Sequence, residues 1–231
     1  MEPARIAELL QPFLDPTAGP PADGGLQPES KAHTQSQLRD ISTYIDILRR
    51  WNARMNLTAV RPPEEVVTRH FGESLFAARH LFDRVSAEPA GESPLDLIDL
   101  GSGAGFPGLP IKIWAPRLRV ALIESNHKKA AFLREVIRVL ILTDIDVFCG
   151  RAEGFSGHAR CVALRAVERF DTVLPEAARL VAPGGRLALL ISQAQVERTR
   201  ELAPTFHWTT PLPIPLSTNR VLLVGKKAEP G

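Results

Sequence analysis

Asp99-Leu100-Gly101-Ser102-Gly103-Ala104-Gly105-Phe106-Pro107-Gly108 is the stretch that decides the fold of this chain of 231 residues. It follows a short apolar run, Leu95 to Leu100, and opens a helix-forming stretch. Glycines at 101, 103 and 105 let the backbone turn tightly and approach a ligand closely. The helix start beyond them supplies free N–H groups and the positive end of a dipole. In an open parallel sheet, ligands sit beyond the carboxyl ends of the strands. The unit strand–glycine turn–helix therefore predicts an α/β core with its cleft at this turn.

Downstream of the turn, strands and helices alternate. Residues 118–123, 145–148, 161–164, 186–192, 206–209 and 220–225 read as strands, and 126–142 as a helix with Phe132, Leu133, Val136, Ile137 and Leu140 at helical spacing. Another helix runs through Val173, Ala177 and Leu180, broken by Pro183-Gly184-Gly185, and 195–203 is also a helical candidate. This alternation predicts a mostly parallel seven-stranded sheet over residues 91–231, with helices on both faces. Upstream the grammar is all-helical. Residues 2–14, about 30–52, a stretch starting at Pro62-Pro63, and 72–82 make an N-terminal helical extension over 1–90. The Pro- and Gly-rich run at 15–29 reads as an exposed, mobile loop.

Composition bounds the function classes. The chain has 28 Lys plus Arg against 26 Asp plus Glu, a net +2 that neither demands nor excludes a nucleic-acid partner. Two cysteines, Cys149 and Cys161, exclude a disulfide miniprotein and point to a reducing, cytoplasmic compartment. No secretory signal and no apolar run near the ~20 residues of a membrane span are visible. By count 22 of the cations are Arg, the residue of planar contacts to phosphate and guanine edges.

Two ligand classes compete for the turn. Gly103-x-Gly105-x-x-Gly108 matches a dinucleotide fingerprint, which alone is a weak signal. Asp99-x-Gly101-x-Gly103-x-Gly105 fits an S-adenosyl-L-methionine site better. An acid at this strand end suits an amino group and a sulfonium, and Pro107 removes one N–H that a phosphate cradle would use. Glu124, ending the second strand, suits both ribose hydroxyls of an adenosine in either class. Ala152 and Glu153, after the third strand, face where an adenine would lie, and Arg165 ends the fourth strand. The cofactor candidates from the residues themselves are therefore Asp99, Gly101, Gly103, Gly105, Glu124, Ala152, Glu153 and Arg165.

Trp51-Asn52-x-x-Met55-Asn56-Leu57-Thr58, then Arg69-His70-Phe71-x-x-Ser74, then the glycine turn, Arg151-Ala152-Glu153 and Arg165-Ala166-Val167 together resemble the glucose-inhibited division protein B family. The resemblance runs from about Leu38 to Lys227. It implies a Rossmann-like class I S-adenosyl-L-methionine-dependent methyltransferase that modifies guanine N7 in 16S ribosomal RNA of the small subunit. It implies cofactor contacts at Gly101, Phe106, Ala152, Glu153 and Arg165. Ile191 stands at the position of the family's usual Lys, which bears on one basic substrate contact. Arg220 matches the family's Arg before the last strand.

Guanine N7 has an exposed lone pair, so no general base is expected and none is evident. Catalysis would rest on alignment. Asn56, His70 and Arg220 are the candidate substrate contacts, with His70 ordering the loop around Asn56 rather than transferring a proton. The expected partner is 16S rRNA or the small ribosomal subunit, with no metal and no membrane, and a monomer is expected. The rival readings are a small-molecule methyltransferase, an NAD(P)-dependent oxidoreductase, and a catalytically degenerate RNA-binding relative.

Overall fold

The computed structural model describes residues 1–15, 34–82, 94–166 and 169–229. The expected loop at 15–29 beyond Asp15, the start of the second helix at 30–33 and the junction at 90/91 lie outside the described residues.

Helix α1 (Pro3–Leu14) forms because Ile6, Leu10 and Phe13 recur at three and four and are all buried on one side. Helix α2 (Gln35–Asn52) starts at a capping box, in which Thr34 and Gln37 satisfy each other's backbone N–H groups. The next two expected helices are one continuous segment. It comprises α3 (Pro63–Val66), a π-helical turn (Val67–Gly72) and α4 (Glu73–Leu81). Such widened turns concentrate at functional sites. This one carries His70, and a side chain on Gly72 would collide with the Phe13 ring at 2.5 Å.

The sheet is built from β1 (Leu95–Leu100), β2 (Val120–Glu124), β3 (Ile145–Cys149), β4 (Ala159–Arg165), β5 (Val181–Ser192), β6 (Phe206–Trp208), β7 (Leu212–Pro213) and β8 (Arg220–Lys227). The order is β3-β2-β1-β4-β5-β8-β6, with the two-residue β7 also on β8. The seven expected strands are thus present, and β7 is an addition. Strands β1 to β5 pair in parallel, while β6, β7 and β8 are antiparallel additions. Strand β5 runs through Pro183-Gly184-Gly185, which sequence alone assigns to a break; Gly184 has φ +68° and the pairing with β4 shifts register there. A local irregularity absorbs the turn-forming residues without ending the strand.

Alternate strand residues enter two cores. Leu97, Cys161, Ala163, Ala188 and Leu190 face one side, with α1, α2, α4, α5 (Gly108–Trp114) and α6 (His127–Val139). Ile98, Leu100, Val162, Leu164, Leu187 and Leu189 face the other, under α7 (Phe170–Leu180) and α8 (Val196–Leu202). Ile191 belongs to this second core and is 4 % exposed, so the residue at the family's Lys position is packing here.

The N-terminal helices share the first core with the sheet. Polar contacts fix their register: Gln37 Nε2 donates to the Ile113 carbonyl at 2.7 Å, and Trp51 Nε1 to Glu135 at 3.0 Å. Tyr44 Oη donates to the Ala104 carbonyl inside the glycine turn. Because α1 completes this shared core, Phe13→Ala is expected to cost about 3–5 kcal/mol. Urea unfolding should show it as a lower midpoint of one cooperative transition; loss of α1 alone, with the rest unchanged, would contradict a shared core.

Candidate functional site

The carboxyl end of the sheet opens onto a cavity of about 580 Å³. That volume is in the range of small-ligand sites. Gly101, Gly103, Phe106, Glu124, Ala152, Glu153, Arg165 and His70 line it.

The turn is held by strand β2. Gly101 N and Ser102 N donate to the Ile123 carbonyl at 2.9 and 3.1 Å. The Glu124 carboxylate, 7 % exposed, bridges two backbone donors, accepting from Gly103 N at 2.9 Å and Asn126 N at 2.7 Å. Gly101, Gly103 and Gly105 all have positive φ, +74°, +56° and +86°. Their roles differ. A side chain on Gly103 would approach nothing nearer than the Gly101 carbonyl at 3.7 Å, so its open space is on the cavity side. A side chain on Gly105 would collide with Tyr44 Oη and Leu109.

Two of the residues expected at the ligand lie outside the cavity lining. Gly105 is not in the lining; it lets α2 approach the turn. Asp99 is fully buried and also outside the lining. Its Oδ2 accepts from Gly108 N at 2.9 Å, and Ser102 Oγ donates to its carbonyl at 2.8 Å. It braces the turn from behind, and its Oδ1 has no partner among the described residues. Burial pushes this carboxyl up to about 7, against the pull of the Gly108 and Ser102 hydrogen bonds and the Arg165 charge.

On the adenine side of the expectation, the Ala152 carbonyl already accepts from Arg179 Nη2 at 2.8 Å and Phe155 N at 3.0 Å. What remains at this position is its N–H, together with the exposed Glu153 carboxylate. Phe106 lines the cavity but is packed by Tyr44 at 5.5 Å, Phe71 at 5.2 Å and His70 at 4.8 Å between centroids.

The other wall comes from the helical extension. Asn52, buried at the end of α2, accepts from Leu57 N at 2.9 Å and Thr58 N at 3.1 Å and donates to the Thr58 carbonyl at 3.0 Å. One side chain thus shapes the loop that brings Leu57 and Thr58 to the cleft. Asn56, the expected contact, is exposed and outside the lining. Glu73, 3 % exposed, is shared by two cations. Its Oε2 accepts from Arg165 Nε at 3.2 Å, Arg165 Nη2 at 3.1 Å and Arg220 Nε at 3.1 Å. Arg165 Nη2 also donates to the Arg69 carbonyl at 2.7 Å and approaches His70 Nδ1 at 3.0 Å. Arg220 lies outside the cavity lining and also donates to the Leu190 carbonyl at 3.2 Å. It braces Glu73 rather than reaching into the cleft.

His70 is held neutral. Burial and the Arg165 and Arg69 charges pull its pKa down to about 3. Its Nε2 meets Thr58 Oγ1 at 2.7 Å, so both ring nitrogens are engaged. Sequence reasoning missed Asn52, Glu73, Thr58 and Tyr44 as site residues. Asn52 and Thr58 stand in the motif around Asn56; Glu73 and Tyr44 carry no local signal. Among the described residues, no group of three or more His, Cys, Asp or Glu is placed to hold a metal, and no helix is long and apolar enough to cross a membrane.

A parallel sheet of this order, with a glycine turn after β1 and an acid ending β2, defines a Rossmann-like methyltransferase fold. A ribosomal protein L11 methylase from Lactobacillus delbrueckii subsp. bulgaricus superposes with a TM-score of 0.54 at 12 % identity, over 68 % of this chain and 80 % of that one. A family model for rRNA small subunit methyltransferase G matches residues 37–213. The protein of that name from Xanthomonas axonopodis pv. citri is 36 % identical over 93 % of this chain and 97 % of its own length. The one from Roseiflexus sp. is 51 % identical over 52 % of this chain, a match that spans about half of that relative, 47 %. The chain belongs to the rRNA small subunit methyltransferase G family.

Two of the shifted groups, His70 and Asp99, set opposite pH dependences. His70 binds its proton less readily folded than unfolded, so its contribution is complete above about 6.5 and lost as pH falls toward 3. Asp99 binds its proton more readily folded, so its contribution is complete below about 3.8 and lost as pH rises through about 7. His70→Asn should remove a few kcal/mol of the acid-side loss while leaving the Asp99 slope near neutrality. Chemical denaturation from pH 4 to 8 measures both; parallel pH curves for wild type and His70→Asn would refute the buried neutral histidine.

Proposed function

We propose that this chain transfers a methyl group from S-adenosyl-L-methionine to N7 of a guanine in 16S rRNA of the small ribosomal subunit. The observation that carries the choice of atom is His70. It is the histidine of the cleft, yet both its ring nitrogens are hydrogen-bonded and its pKa lies near 3. It cannot take a proton from substrate near neutral pH. A hydroxyl acceptor would draw on such a base, whereas guanine N7 has a free lone pair and needs none. Family membership supports the rRNA substrate.

The residues present fit the cofactor. Glu124 faces the cavity beside the glycine turn and offers its carboxylate to a ribose diol, and Gly103 leaves room for close approach. Ala152 N–H and Glu153 stand for an adenine edge. Arg165 turns Nε and Nη2 to Glu73 and His70, which leaves Nη1 as the edge for the cleft. The cofactor supplies a sulfonium-bound methyl group. The chain supplies alignment of the acceptor with that methyl, exclusion of water and a fixed neutral wall. The reading places the protein in the cytoplasm with ribosomal subunits, acting as a monomer. Pro107 as the cap of α5, which offers no N–H, weighs against a pyrophosphate ligand.

The test is methylation of naked 16S rRNA and of small subunits, with 7-methylguanosine mapped by chemical cleavage. One modified guanine is expected. Cofactor binding without any labelled guanine would overturn the reading, and so would calorimetry showing NADH bound in preference to S-adenosyl-L-methionine. Glu124→Ala is expected to weaken cofactor binding at least about tenfold, because it removes a charged hydrogen-bond partner from the cleft. Unchanged affinity would remove Glu124 from the site.

A further inference from the structure

The hydrogen bonds on the helical wall of the cleft have a direction. Arg165 is a donor only, and its Nη2 lies 3.0 Å from His70 Nδ1. A hydrogen on Nδ1 would face that donor, so this contact favours the tautomer that carries the imidazole hydrogen on Nε2. That hydrogen points at Thr58 Oγ1, 2.7 Å away. Thr58 Oγ1 also accepts from Val60 N at 3.1 Å. A hydroxyl has two lone pairs and one hydrogen. In that tautomer both lone pairs of Thr58 are filled, and its own hydrogen leaves in the third direction. Thr58 lines the cavity together with His70, Phe106 and Arg165, and no acceptor for that hydrogen is found among the described residues.

We infer that Thr58 is a positioning residue of the methyl-transfer site, a hydroxyl committed to donate into the cleft. It takes an oxygen acceptor of the bound reactants and rejects a donor at the same place. A threonine in general can rotate and accept; here Glu73 holds Arg165, Arg165 selects the tautomer of His70, and His70 then occupies the lone pair. The inference rests on the proposed methyl transfer. The acceptor oxygen has two sources in that reaction: the carboxylate of the methionine part of the cofactor, or the O6 carbonyl next to N7 of the guanine. Adenine presents an amino donor at that position and would be refused.

The test uses Thr58→Val, which keeps the shape and removes the hydroxyl, and Thr58→Ser, which keeps the hydroxyl. Calorimetry with S-adenosyl-L-methionine and with 5′-methylthioadenosine, which has no carboxylate, separates the sources. If the carboxylate is the acceptor, Thr58→Val binds S-adenosyl-L-methionine about tenfold or more weakly and methylthioadenosine as wild type. If the base is the acceptor, both ligands bind as wild type, and kcat/KM for rRNA falls at least about fivefold at saturating cofactor. In either case Thr58→Ser restores most of the loss. Equal weakening of the two ligands, an rRNA kcat/KM at the wild-type level with unchanged binding, or no recovery in Thr58→Ser would each overturn the inference. A wild-type protein that methylates no rRNA would instead refute the underlying reading, so the two failures are distinct.

Discussion

The Glu73 carboxylate is the constraint on which the cleft depends. It sits at the start of α4, almost without solvent, and accepts from Arg165 at the end of β4 and Arg220 at the start of β8. Two guanidinium groups against one carboxylate leave a local excess of one positive charge. Desolvating such groups costs several kcal/mol each, and removing one partner of a buried pair typically costs about 3–5 kcal/mol. The cost is tolerable only because the leftover donors find carbonyls, those of Arg69 and Leu190. A buried cluster of this kind is weak as a source of stability. It is effective as a locator, since few arrangements satisfy all its members.

What it locates is the junction between the helical extension and the sheet. With Arg165 fixed, His70 is held in one orientation between it and Thr58. With His70 fixed, Phe106 is packed against it at 4.8 Å and Thr58 is held at the cavity wall. Tyr44 closes the loop from α2: it hydrogen-bonds the Ala104 carbonyl and stacks on Phe106 with ring planes 5° apart. The glycine turn is thus gripped on one side by Glu124 of β2 and on the other by aromatic residues from the extension. The extension is a wall of the cleft and shares its hydrophobic core with the sheet.

The sheet, its crossover pattern and the glycine turn were legible because they rest on local signals: strand-length apolar runs, helical spacing and glycines where φ must be positive. Glu124 was legible for the same reason, as an acid at a strand end. For Asp99, sequence gives the strand end but not the side of the turn on which its carboxylate falls. Asn56 stands in a motif whose loop is ordered by Asn52, four residues earlier on the last turn of α2. The join of two helices through a π-helical turn left no trace in the residue pattern, since Val67–Gly72 reads as ordinary helix. Glu73 was invisible for a different reason. A single acid on a helix reads as solvated until the two arginines that need it, 92 and 147 residues away, are brought beside it.

The electrostatics of the site also explain why so rigid a wall serves the proposed chemistry. Moving a methyl group from a sulfonium to a purine N7 carries one positive charge from one side of the cleft to the other and creates no new ion. There is no oxyanion to stabilise and no proton to remove, so strong field changes and tuned bases have little to contribute. What remains is geometry, and misplacement by about 1 Å can cost about a hundredfold in rate. A network anchored on the Glu73–Arg165 pair supplies that geometry without depending on pH near neutrality. His70 would have to lose its neutral form to disturb it, and its surroundings postpone that to about pH 3.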